Sequence, residues 1–161
     1  MKKHLPNLLT FCNIISGLLS ISLSLQHQFE SAMLLLILAV SFDKLDGAVA
    51  RRLSSQSPIG KYLDSLSDLV SFGIAPFIFV IAQHMNLVLL LIGILFVCAG
   101  AYRLARFMAK ESPFFTGLPI TINGLLFPIL FFLHWNTAPV FTFAFIVMSM
   151  GMVSRIKVPK V

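Results

Sequence analysis

The chain has 161 residues, 58% of them hydrophobic and 11% charged, with a mean hydropathy of +0.93. A water-soluble domain carries about 25% charged residues, so the soluble globular class is excluded and an integral membrane class is indicated. The formal net charge of +6 suggests anionic partners, but the placement of the cations assigns it to membrane topology and lipid headgroups and not to nucleic acid.

Crossing the hydrocarbon layer takes about 20 helical residues. The first apolar run extends from Leu8 to about Leu25 and reads as a span, since no small-residue cleavage site marks a leader. The second, Ala32 to Phe42, reaches full length only if its helix continues through Asp43, Asp46 and Ala50 to about Arg52. A turn follows at Ser54, Ser55, Gln56, Ser57 and Pro58. The third span begins near Gly60, with Asp64 and Asp68 in its first turns, and ends near Ala82. The fourth runs from Leu87 to about Met108, and Lys110, Glu111, Ser112 and Pro113 break it. The fifth runs from Leu118 to His134, and Val140 to Val153 is the core of the sixth. The predicted fold is thus one all-α domain over residues 1–161 with six transmembrane helices. Cys12 and Cys98 lie inside apolar runs without metal-ligand spacing and read as packing residues.

The twelve Lys and Arg fall in four groups: Lys2 and Lys3; Lys44, Arg51, Arg52 and Lys61; Arg103, Arg106 and Lys110; Arg155, Lys157 and Lys160. Six spans place all four groups on one side of the membrane, and Lys and Arg mark the cytoplasmic side. Both termini are therefore predicted to be cytoplasmic. His27, His84 and His134 then fall on the opposite side, Trp135 and Tyr102 suit the interface belts, and Asn13 and Gly17 suit close packing of the first span.

Four of the six acidic residues lie between positions 43 and 68. Asp43, Asp46, Gly47 and Ala50 stand at i, i+3, i+4 and i+7, one face of a helix; Gly60, Asp64 and Asp68 stand at i, i+4 and i+8, again one face. The intervening turn is short, so the two helices are expected to be antiparallel neighbours whose acid faces meet. An acid at the centre of a span costs about 2.5–3.5 kcal/mol, and less near the interface. Structural pairing accounts easily for one such acid and poorly for four on facing stripes. Hard divalent cations with oxygen ligands neutralise the set, and a pair of ions about 3.5–4 Å apart suits four carboxylates and clamps a phosphate. Gly47 and Ala50 leave room beside them, and Arg51 is placed to pair with a phosphate.

The same stretch matches the signature D-x2-D-G-x2-A-R-x8-G-x3-D-x3-D at every fixed position and so resembles the CDP-alcohol phosphotransferases, membrane enzymes that displace CMP from a CDP-linked lipid with an alcohol. Leu5-Pro6-Asn7-Leu8-Leu9-Thr10, Arg103-Leu-Ala-Arg106-Phe107, Phe115-Thr-Gly117-Leu118-Pro119 and the tail from Val153 to Pro159 look like the short bacterial phosphatidylserine synthases. The chain departs from that pattern at Met108, where an Asn is common, and at Thr121, Ile122 and Asn123, where a further Pro and small residues are usual.

The resemblance implies transfer of the phosphatidyl group from CDP-diacylglycerol to L-serine, with two divalent cations, Mg2+ or Mn2+. Asp43, Asp46 and Asp64 would hold one ion and Asp43, Asp64 and Asp68 the other, with Asp68 also the base that deprotonates serine. Gly47, Ala50, Arg51, Ser57, Gly60 and Asn7 would contact the CDP-lipid, and Arg103 and Arg106 a lipid phosphate or the serine carboxylate, positive-inside anchoring being the alternative for these two. A homodimer in the plasma membrane, with the active site facing the cytoplasm, is the matching expectation. The competing readings are a sister enzyme using glycerol phosphate or inositol, an intramembrane prenyl transferase, and a cation or proton transporter. The prenyl transferase would need a second Asp-rich motif, and the transporter would need carboxylates near the midplane.

Overall fold

The computed structural model describes residues 5–52, 57–109, 114–154 and 157–159. Within them lie α1 (Leu5–Leu25), α2 (Phe29–Arg52), α3 (Pro58–Asp68), a π-helical turn (Leu69–Ile74), α4 (Ala75–Gln83), α5 (Leu87–Ala109), β1 (Phe114–Thr116), a 3-10 turn (Ile120–Ile122), α6 (Asn123–Phe132), α7 (Ala138–Val153) and β2 (Lys157–Pro159). Of the expected turn at 54–58 only Ser57 and Pro58 are described; the break at 110–113, and Lys2, Lys3, His4, Arg155 and Lys160, lie outside the described residues.

The helices stand in six columns, as the hydropathy pattern requires: α1, α2, the continuous stretch Pro58–Gln83, α5, the Ile120–Phe132 stretch and α7. Three of them, Pro6–Leu25, Pro58–Gln83 and Leu87–Ala109, are long and apolar enough to cross a membrane. The second column is long enough, but its charged end lowers its hydropathy. The fifth is shorter than Leu118 to His134: its regular α-helix has 10 residues. Pro119 holds an extended φ/ψ ahead of the 3-10 turn, and the helix ends at Leu133 before His134 turns to positive φ.

Lipid, not water, suits the outer surface. On α1 the inward face carries Thr10, Asn13, Ser20 and Ser24, all buried, while Leu8, Phe11, Ile15, Leu18 and Leu25 face outward. This is the reverse of a soluble amphipathic helix and the ordinary pattern of helices that associate in a membrane through small and hydroxylated residues. Ser20 Oγ donates to the Ala32 carbonyl of α2 at 2.8 Å. Gly17 lets the π turn approach closely: a Cβ there would stand 2.9 Å from Ser71 Cα. The apolar core is built on phenylalanine, with Phe72, Phe79, Phe96, Phe127, Phe141 and Phe145 fully buried and the Phe96 and Phe145 rings 4.7 Å apart.

The π turn lies just ahead of Pro76. Pro76 has no N–H, so the Phe72 carbonyl four residues earlier has no α-helical donor. In the same turn Ala75 N–H makes an i→i+5 bond to Val70 O. The side-chain amide of Asn123 donates to the Phe72 carbonyl at 3.2 Å.

The one departure from an all-helical fold among the described residues is the antiparallel ladder of β1 with β2, Phe114 opposite Pro159 and Thr116 opposite Lys157. Gly117 makes it possible. Its φ of 84° reverses the chain, and a Cβ there would collide with the Met152 carbonyl oxygen. Leu118 N–H then bonds Gly151 O at 3.0 Å, which lays the segment after α5 beside the chain leaving α7.

Candidate active site

α2 and α3 both pack on α1, and three of their carboxylates converge. Ligand oxygens of Asp43, Asp64 and Asp68 all lie within 4.8 Å of one another, Asp68 buried and the other two half-buried. Asp68 Oδ1 is buried without a hydrogen-bond partner. A buried carboxylate oxygen without a partner, beside two further acids in an apolar bundle, is a costly arrangement. Hard oxygen donors at this separation fit a divalent cation, which removes that cost.

Asp46, the fourth acid, is 5% exposed and turns to α1, where its Oδ2 accepts the Thr10 hydroxyl at 2.7 Å. Thr10 also binds α3 through its carbonyl, which accepts Ser67 Oγ at 3.2 Å, and one turn on the Asn13 carbonyl accepts Ser71 Oγ at 3.1 Å. Sequence reasoning gave Thr10 no role. The available signal was its spacing of three from Asn7 and from Asn13, which puts a row of polar side chains on one face of an otherwise apolar helix.

The residues expected at the CDP-lipid form two groups. Asn7, Ser57 and Gly60 meet: a Cβ on Gly60 would stand 3.1 Å from Ser57 Oγ and 3.2 Å from Asn7 Oδ1. Ser57 is the N-cap of α3, its hydroxyl accepting the Gly60 N–H at 3.0 Å, with Pro58 in the first turn. On α2, exposed Arg51 reaches back one turn, with Nη1 3.8 Å from where a Gly47 Cβ would be, and Ala50 is half-buried between them.

Arg103 and Arg106 diverge. Arg103 is 6% exposed and interacts electrostatically with Asp68, Asp43 and Asp64. Its guanidinium carbon lies 5.7 Å from the Phe107 ring centroid, and Lys61 Nζ lies 5.1 Å from the same centroid. Arg106 points instead to the end of α7. Its Nη1 donates to Val153 O at 3.2 Å and its Nη2 to Met152 O and Ser154 O at 3.2 and 3.1 Å. It thus satisfies carbonyls that a helix C-terminus leaves without donors. Three residues apart and so on one side of α5, the two side chains nevertheless reach different neighbours, Arg103 the acids and Arg106 the end of α7.

Chemically, the site combines clustered hard-oxygen ligands, one deeply buried carboxylate, a buried guanidinium beside it and a polar notch at a helix N-terminus. That set suits handling a phosphate-bearing substrate.

Known proteins agree with this composition. The chain is 37% identical to the archaetidylserine synthase of Methanothermobacter thermautotrophicus, the alignment covering 98% of this chain and 70% of that one. It is 38% identical to the CDP-diacylglycerol–serine O-phosphatidyltransferase of Methanocaldococcus jannaschii, covering 94% and 71% of the two chains. With the enzyme of that name from Bacillus subtilis it is 34% identical, over 97% and 90%. Residues 3–156 match the CDP-alcohol phosphatidyltransferase family, and the chain belongs to that family.

Proposed function

We propose that this protein transfers the phosphatidyl group of CDP-diacylglycerol to the hydroxyl of L-serine, giving phosphatidylserine and CMP. The convergence of Asp43, Asp64 and Asp68 carries the reading, and the serine-using relatives support the acceptor. Two divalent cations, Mg2+ or Mn2+, held by Asp43, Asp46, Asp64 and Asp68, would supply charge neutralisation for the diphosphate and the departing CMP.

The chain's own residues do the rest. Asp68, buried and without a partner on Oδ1, takes the proton of the serine hydroxyl as general base. The serine oxygen then forms its bond to the lipid-side phosphorus in line with the bond to CMP, which breaks. Asn7, Ser57 and Gly60 on one side and Gly47, Ala50 and Arg51 on the other receive the CDP group, the glycines leaving room for it. Arg103, facing the acids, takes the serine carboxylate. Arg106, whose guanidinium holds the end of α7, serves the site only by anchoring its surroundings. The protein works as a six-span homodimer in the plasma membrane, with both termini and the active site on the cytoplasmic side. Membership of the CDP-alcohol phosphatidyltransferase family favours an enzyme over a transporter.

Release of CMP from CDP-diacylglycerol by the purified protein tests the reading. Release that depends on both L-serine and Mg2+ or Mn2+ supports it. Release driven by glycerol phosphate or inositol keeps the family and changes the product. Absence of release from folded, metal-supplied protein with any alcohol overturns it.

A further inference from the structure

Asn123 stands where the sequence departs from the pattern it otherwise resembles, and it does not touch the acids. It is 1% exposed, inside a bundle of apolar side chains. Its Nδ2 donates to the Phe72 carbonyl at 3.2 Å while its Oδ1 is buried without a partner. A buried amide with one end unsatisfied is a poor packing residue, so what it does satisfy gives the reason for it. That group is the carbonyl left without an α-helical donor by Pro76. The neighbouring Gly124 presses α6 onto the same point: a Cβ there would stand 2.6 Å from Phe72 Cδ1 and collide with Val40.

Phe72 lies within the π turn Leu69–Ile74, whose preceding residue is Asp68. An i→i+5 turn holds one residue more than an i→i+4 turn. It therefore sets the rotation of the acid face of α3 relative to α4, which is locked in the core by Phe79 and Val80, both fully buried. If the turn relaxed to α-helix, the acid end would rotate by about one residue's share of the helical turn, roughly 100°. Asp68 would no longer face Asp43.

We propose that Asn123 is a positioning residue: by donating to the carbonyl that Pro76 leaves without a donor, it holds the π turn and so fixes the direction in which Asp68 faces Asp43 and Asp64. The inference rests on the reading of Asp68 as the base, and its test does not depend on activity alone. Wild type, Asn123→Leu, which removes the donor at similar size, and Asn123→Gln, which keeps it, are purified in detergent. Mn2+ binding is measured by electron paramagnetic resonance without lipid or serine, and CMP release is followed kinetically.

In Asn123→Leu we expect kcat to fall about tenfold or more with KM for CDP-diacylglycerol within about twofold, and Mn2+ binding to weaken at least about fivefold, as small misplacements of catalytic groups do. Asn123→Gln should recover much of both. Should the leucine variant fail to fold, Asn123→Thr, whose hydroxyl can bond its own helix backbone, is expected to show the same two losses. Wild-type kcat and Mn2+ affinity in a folded donor-free variant, even with a lowered melting temperature, would overturn the proposal. Weakened Mn2+ binding in a protein whose wild type releases no CMP would uphold the positioning role and overturn only the proposed reaction.

Discussion

Thr10 and Asp46, 36 residues apart in sequence, are joined by a 2.7 Å hydrogen bond that ties the first helix to the acid face of the second. A hydrogen bond to a charged group is worth about 1.5–3 kcal/mol. Thr10→Val, which keeps the shape, should lower kcat/KM roughly 10- to 100-fold on that scale. Thr10→Ser should stay close to wild type. Equal activity of all three proteins in the CMP-release assay would show that Asp46 needs no such support.

Removal of the buried carboxylate should be far more severe. Asp68→Asn keeps the volume and removes the base, and a loss of about 10²–10⁴ in kcat is expected. Treatment of the wild type with EDTA should abolish release, and Mg2+ or Mn2+ should restore it, whereas neither ion should rescue the variant.

The two arginines of α5 should separate in kinetics as they do in space. Arg103→Gln removes the guanidinium beside Asp68, Asp43 and Asp64 and is expected to raise KM for serine at least about tenfold, with KM for CDP-diacylglycerol little changed. Arg106→Gln removes donors to three carbonyls at the end of α7. It should lower thermal stability by about 1–3 kcal/mol while leaving KM for serine near wild type. Reversed phenotypes would reassign the acceptor site.

Close helix contact at Gly17 gives a prediction about stability alone. Even a methyl group there meets the Ser71 backbone, with Cα at 2.9 Å. Gly17→Ala should therefore force α1 from the π turn and cost about 1–3 kcal/mol. Thermal unfolding in detergent measures it. An unchanged midpoint would mean that the two helices separate at no cost.

Some of this architecture is written openly in the sequence. The acid stripes at i, i+3 and i, i+4 spacing, and the turn between them, lead directly to the cluster of Asp43, Asp64 and Asp68, because helical periodicity is local. Six apolar runs lead to six helical columns for the same reason. The placement of Asp46 against Thr10 is not legible, since it depends on which face of α1 meets α2, and apolar periodicity is flat on a helix whose outer face is lipid. Nor is the divergence of Arg103 from Arg106, which follows from neighbours distant in sequence. Pro76 could have signalled a disturbed helix, but the bond from Asn123 to the Phe72 carbonyl joins residues 51 positions apart and could not be read from either segment. The ladder of β1 with β2 depends on Gly117, which reads in the sequence only as a loop residue.

The inward hydroxyls of α1 bear on how the protein is assembled. Such a helix can lie in the bilayer before its neighbours pack against it. Three of its hydroxyls carry their own provision for that interval: Thr10, Ser16 and Ser24 each donate to the carbonyl four residues earlier, at Pro6, Cys12 and Ser20. Asn13 has no such internal bond. The helix can therefore wait in lipid with nearly all its polar groups satisfied. Packing of its neighbours adds shared contacts, at Asp46 and beneath Ser67 and Ser71, to these internal bonds. On this view the Asp46 carboxylate helps to fix which way the first helix faces.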